Sequence, residues 1–148
     1  MKNFKFEKEL KNKTILITGG AGSLGSHLTR KLLKYPIKSI RVLDIDEHSL
    51  FKLKRALNNN KVRFLLGSIL DKERLQLAGD GVDFIIHAAS IASPIFYRKF
   101  PIETIDSNVT GLRNILEYSK VNNIESLLFF STSEIYGDPE AGTGTARF

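Results

Sequence analysis

The chain has 148 residues, 42% of them hydrophobic and 26% charged, which suits one domain with a real core. It contains no cysteine, which excludes disulfides, thiolate metal sites and a cysteine nucleophile, and its three histidines, His27, His48 and His87, show no ligand spacing. The net charge of +6 comes from Lys and Arg spread over several helical stretches, with no run carrying interleaved aromatics, so it reads as a solvated surface, or equally as suiting an anionic small ligand, and not as a nucleic-acid footprint.

Residues 1–12 alternate Lys and Glu with Phe and Leu and read as an N-terminal extension. They lack the continuous apolar run of a signal peptide, and no later stretch reaches the roughly 18 apolar residues of a membrane span. The expectation is a cytoplasmic protein with no membrane or nucleic-acid partner. From Thr14 the pattern alternates short apolar runs with helical ones, the form of a parallel sheet with crossover helices. Thr14–Thr18 is a strand; Leu24, Leu28, Leu32 and Leu33 then mark a helix over 23–33, closed by Pro36.

Ile40–Leu43 is a second strand that stops at Asp44, followed by a helix on Leu50, Leu53 and Leu57 ending in Asn58-Asn59-Asn60. A third strand, Val62–Leu66, leads through Gly67 to a short helix capped by Asp71. Val82–Ile86 is the fourth strand; a loop through Pro94 and a helix from Pro101 to Val121 follow. The fifth run, Leu127–Phe130, is apolar at every position, as a central strand between helix layers would be. The right-handed crossover rule turns these units into a doubly wound α/β sheet with helices on both faces. Residues 138–148 have no apolar periodicity and read as an irregular tail.

The first strand and first helix are joined by Thr18-Gly19-Gly20-Ala21-Gly22-Ser23-Leu24-Gly25, a G-x-x-G-x-x-G spacing. Glycines there allow a tight turn and a close backbone approach, while the N–H groups of Ser23, Leu24 and Gly25 at the helix start suit a pyrophosphate. A glycine turn before a helix is also common in purely structural loops. The supporting feature is Asp44, 19 residues after Gly25, where a carboxylate can accept from the adenosine ribose hydroxyls, although it could equally be a turn or cap residue. Asp46 follows, and no Lys or Arg lies at 45–48 to neutralise a 2′-phosphate, which favours NAD over NADP.

Together with that loop, His87-Ala88-Ala89 after the fourth strand and Ser131-Thr132-Ser133-Glu134-Ile135-Tyr136-Gly137 after the fifth resemble the extended short-chain dehydrogenase/reductase family, over Lys13 to about Glu140. The resemblance implies a Rossmann domain followed by a nucleotide-sugar lobe, transient NAD-dependent oxidation of a nucleotide sugar such as a UDP-sugar, and homodimers paired through two helices. It implies a cofactor site at Gly19, Gly22, Ser23, Leu24, Gly25, Asp44, Ser68, Ile69, Ala88 and Ala89.

The stretches Ala92-Ser93-Pro94-Ile95-Phe96-Tyr97, Pro101–Thr104 and Asn108–Gly111 look most like UDP-glucuronate decarboxylases, with 4-epimerases and 4,6-dehydratases as neighbours. By that likeness Ala92 and Tyr97 touch the sugar or its carboxylate, Thr132 and Ser133 bind the hexose, Glu134 is the acid/base group, and Asn108 organises the site. The residues also make chemical sense alone. Thr132, at a strand end over the crevice, could hydrogen-bond a sugar C4 hydroxyl or merely satisfy backbone groups; Glu134 is placed for proton transfer or lies on the surface; Tyr97 could be a packing aromatic. His87, on an apolar strand end, reads as a structural histidine.

Two departures stand out. After the third strand the family has Gly-Asp, its acid reaching the adenine amine, whereas here Gly67 precedes the uncharged Ser68. The family's proton acceptor is a tyrosine with a lysine four residues on, yet Tyr35, Tyr97, Tyr118 and Tyr136 are followed at that spacing by Ser39, Pro101, Asn122 and Glu140. General acid–base terms contribute about 10² to 10⁴ in rate. The chain therefore reads as an incomplete Rossmann domain over 13–137, truncated before the substrate lobe: the cofactor-binding part of such an enzyme, or a non-catalytic dinucleotide-binding module.

Overall fold

The computed structural model describes residues 4–132. Five strands, β1 (Thr14–Thr18), β2 (Ser39–Asp44), β3 (Val62–Leu66), β4 (Phe84–His87) and β5 (Ser126–Phe129), form one parallel sheet in the order β3-β2-β1-β4-β5. The chain leaves β1 toward β2 and β3, then returns to the other side of β1 for β4. That reversal opens a crevice at the carboxyl ends of β1 and β4.

Why the strand sequences lack simple alternation is visible in β1. Ile15 and Ile17 point into one apolar layer and Leu16 into the other, and all three are at most 1% exposed. One layer joins the sheet to α1 (Phe4–Leu10), α2 (Ser23–Leu32) and α3 (Glu47–Leu57) through Leu10, Leu28, Leu32, Leu50 and Leu53. The other joins it to α4 (Lys72–Gly79) and to α7 (Gly111–Val121) through Leu75, Ala78, Ile115 and Tyr118. Burying each such Leu or Ile side chain contributes about 1.5–3 kcal/mol. Asp46 and Asp71 start α3 and α4 by accepting from the N–H groups of Ser49 (3.1 Å) and Arg74 (3.0 Å), and Asn58, at φ +39°, ends α3.

Four expectations change. Residues 4–10 of the extension are helical. The stretch beginning at Pro94 is not loop but a short helix, α5 (Pro94–Lys99), because Pro at the first helical position needs no N–H acceptor. The helix over 101–121 is interrupted: α6 (Pro101–Ile105) passes into a π-helical turn at Asp106–Thr110 before α7. Lastly, β5 is not central among the described residues. It pairs only with β4, and Leu128, Phe129 and Phe130 are 51%, 44% and 37% exposed, since no strand or helix described here covers them.

Candidate functional site

The glycine loop begins where β1 ends. Gly19 has φ +65°, and a Cβ there would lie 2.7 Å from the backbone N and Cα of Ala89, so the loop can rest on the segment after β4 only if this residue has no side chain. At Gly25 a Cβ would overlap the Gly19 carbonyl oxygen and the Gly20 backbone, which fixes the close seat of α2 on the loop. The first turn of α2 closes with Ser26 N–H donating to Gly22 O at 2.9 Å. The N–H groups of Ser23, Leu24 and Gly25 therefore have no helical acceptor, and Gly22, the N-cap, offers no side chain to take them. Three orphan donors at the positive end of a helix make an anion seat.

The crevice above this loop has a volume of about 370 Å³. Its walls come from the loop (Gly19, Ala21, Gly22), the end of β2 (Leu43, Asp44, Ile45, Asp46) with Ser49, the end of β3 (Gly67, Ser68, Ile69, Leu70) and the segment after β4 (Ala88, Ala89, Ser90, Ile91), closed by Glu103 and Ser107. Asp44 ties two walls together: one carboxylate oxygen accepts from Ala21 N–H (2.9 Å) and the other from Asp46 N–H (3.0 Å). Each oxygen keeps a further lone-pair site for a hydroxyl. Asp46 accepts from the Ser49 hydroxyl (2.6 Å) and N–H, and these bonds hold its pKa below the ordinary carboxylate value. Both carboxylates line the crevice and disfavour a further anion beside them.

On the opposite wall, Ser68 Oγ accepts from Leu70 N–H (3.1 Å), and Asn114 Nδ2 donates to Ile69 O (3.0 Å), pinning the β3 end to α7. At the end of β4, the His87 ring lies between β1 and β5. Its Nδ1 is 2.6 Å from Thr18 Oγ1, its ring stacks on Phe129 with centroids 5.6 Å apart, and burial lowers its pKa. His87 Nε2 is buried with no partner among the described residues.

Of the residues read from sequence, Gly19, Gly22, Asp44, Ser68, Ile69, Ala88 and Ala89 come together around the crevice, and Ser23, Leu24 and Gly25 form the helix start at its floor. Ala92, Tyr97 and Asn108 do not line it: Ala92 is exposed, Tyr97 lies half-buried on α5, and the Asn108 Oδ1 accepts from the Ser107 hydroxyl at 3.2 Å. Thr132 is exposed just beyond β5, while Ser133 and Glu134 lie outside the described residues. Sequence reading missed Glu103 and Ser107, whose only signal is a spacing of four ahead of Gly111. Among the described residues no cluster of His, Asp and Glu could hold a metal ion, and no helix is long and apolar enough to cross a membrane.

A parallel sheet that reverses its order beside a glycine turn, with a carboxylate ending the second strand, defines a dinucleotide-binding α/β domain. Residues 15–147 match the NAD dependent epimerase/dehydratase family, and the chain belongs to that family. It is 40% identical over 124 residues to a Methanocaldococcus jannaschii protein described as an uncharacterized membrane protein, an overlap covering 84% of this chain and 37% of that one. To the inverting UDP-N-acetylglucosamine 4,6-dehydratase of Campylobacter jejuni it is 36% identical over 123 residues, covering 82% of this chain and 37% of the dehydratase. The structure superposes on the Thermus thermophilus UDP-glucose 4-epimerase complex with NAD at a TM-score of 0.75 and 31% identity, covering 87% of this chain and 41% of the epimerase. The chain thus spans well under half the length of the proteins it matches.

Proposed function

We propose that this chain forms the NAD-binding floor of an enzyme that remodels a nucleotide sugar. The observation that carries the reading is the crevice itself, where three orphan N–H donors sit under a glycine loop and the Asp44 carboxylate lines the wall at the end of β2. In this reading Ser23, Leu24 and Gly25 hold the pyrophosphate, Asp44 accepts from the adenosine ribose, and Ala88 and Ala89 let the dinucleotide cross β4 at close range. Bound NAD supplies a hydride acceptor for a sugar carbinol. The residues of this chain bind and orient it and exclude water from its path; the tyrosine–lysine pair that takes the carbinol proton in the family is not among these 148 residues.

A UDP-sugar is the proposed substrate, supported by relatives whose names give UDP-glucose and UDP-N-acetylglucosamine as substrates. Within that class the likeness of 92–111 supports UDP-glucuronate decarboxylation, with Thr132 and Ser133 on the hexose and Glu134 as the acid/base group. The same relatives support a second reading, 4-epimerisation or 4,6-dehydration. A homodimer belongs to the proposal, because Ile102, Ile105, Val109 and Leu116 are all exposed and recur at helical spacing along 101–121.

The test is titration with NAD, then with UDP-glucuronate, UDP-glucose and UDP-N-acetylglucosamine in the presence of NAD. One NAD site with no steady turnover is expected. Tighter binding of UDP-glucuronate supports the decarboxylase; preference for the neutral sugars supports the second reading. Absence of NAD binding, or steady turnover by the chain alone, overturns the corresponding part.

A further inference from the structure

The π-helical turn at Asp106–Thr110 has a consequence for the crevice. In an α-helix, residues spaced by four drift around the axis by about 40° per step. The wider i→i+5 bonding of a π turn, seen here in Gly111 N–H donating to Asp106 O, rotates the chain less per residue. Residues 103, 107 and 111 are thereby drawn toward one line. The lower end of that line is fixed: a Cβ on Gly111 would overlap the Ile69 side chain, and Asn114 donates to Ile69 O. Its upper end delivers Ser107 and Glu103 into the crevice wall above Ile69 and Leu70.

This end of the crevice combines apolar walls with carboxylates. Ile45 and Leu70 are exposed apolar side chains on its walls. The other polar groups nearby have engagements of their own: Asp44 accepts from two backbone N–H groups, Asp46 serves Ser49, and Ser68 Oγ accepts from Leu70 N–H. The Ser107 hydroxyl donates to Thr104 O or Asn108 Oδ1. The Glu103 side chain, which has no hydrogen bond or ion pair among the described residues, is the one carboxylate on these walls with all its acceptor capacity free.

We propose that Glu103 is a specificity-determining residue that accepts the exocyclic amine of the dinucleotide's adenine, set in place by the π turn. The inference rests on the proposed NAD site. A carboxylate rewards a purine with an amine at that edge and repels one with a carbonyl, so the site selects adenine over hypoxanthine. A hydrogen bond to a charged group supports about tenfold discrimination at an exposed site.

The test is calorimetric titration of the whole chain with NAD and with nicotinamide hypoxanthine dinucleotide. NAD is expected to bind about tenfold more tightly. Glu103→Gln, whose amide can accept from an amine or donate to a carbonyl, is expected to bring the two affinities within about twofold, with folding unchanged by circular dichroism. Glu103→Asp, which keeps the charge but shortens the reach, is expected to lose most of the discrimination too, separating a hydrogen bond from bulk electrostatics. If NAD binds and the ratio is the same in Glu103→Gln as in the parent, this inference falls and the NAD reading stands. If neither dinucleotide binds, both fall.

Discussion

The two sides of the sheet use the same apolar alphabet and reach opposite outcomes. On the β1–β2 side, Ile15, Ile17, Ile40 and Val42 are sealed between sheet and helices, and the glycine loop hydrogen-bonds only to its immediate neighbours, Leu43 O and the Asp44 carboxylate among them. On the β4–β5 side, Leu128, Phe129 and Phe130 form a comparable run that stays largely open among the described residues. The glycine loop is therefore braced on packed elements among the described residues: α2, the end of β2 and the segment after β4. The margin after β5, where Thr132 lies, depends on cover that the described residues do not supply.

The sharpest way to break that contrast is to disturb the loop. Gly25→Val forces a side chain into the Gly19 carbonyl and tilts α2, removing two or three charged hydrogen bonds worth about 1.5 kcal/mol each. NAD affinity is expected to fall by about two orders of magnitude or more in a calorimetric titration. Leu128→Gln on the exposed margin is expected to leave it unchanged. Next comes stability: Leu16→Ala, in the sealed side, is expected to cost about 2–5 kcal/mol in urea unfolding, whereas Leu128→Ala costs less than about 1 kcal/mol. Equal losses would mean the two margins are equally packed.

How far the sequence anticipates this division follows from the range of each interaction. The glycine loop, the Asp71 cap and the Asp44 position are legible because a tight turn, a helix start and a strand end are written in the residues that make them. The exposure of β5 is not legible, since Leu127–Phe130 has the composition of a central strand and its burial depends on what lies alongside. Pro94 looks like a loop signal but opens α5, where its missing N–H costs nothing. The π turn has no signature in Asp106-Ser107-Asn108-Val109-Thr110, and the residues after it pack on Ile69, which is distant in sequence, so Glu103 and Ser107 entered the site only in three dimensions.

Two smaller effects sharpen the comparison. Asp44→Asn removes the charge that holds the Ala21 N–H and, in the proposed site, leaves an amide in place of the ribose acceptor; NAD affinity is expected to drop about tenfold, readable by the same titration. His87, the seam between the two sides, is held neutral by burial, its pKa below the ordinary 6.5. The unfolded chain takes up that proton first as pH falls, so the stability this group contributes is whole above about pH 6.5 and is lost as pH drops toward its folded value. Urea midpoints at pH 7.5 and 5.5 should fall more steeply for the parent than for His87→Gln. Parallel slopes would show that the ring titrates alike folded and unfolded.

The most direct measurement is the affinity of the purified chain for NAD against NADP. Asp44 and Asp46 both line the crevice, where in the proposed site they would repel a 2′-phosphate, and no Lys or Arg lies at 45–48. The expected result is a single NAD site that favours NAD over NADP by about tenfold or more, with the preference narrowed by Asp44→Asn. Equal or tighter binding of NADP, or no binding of either, would contradict the assignment of this crevice.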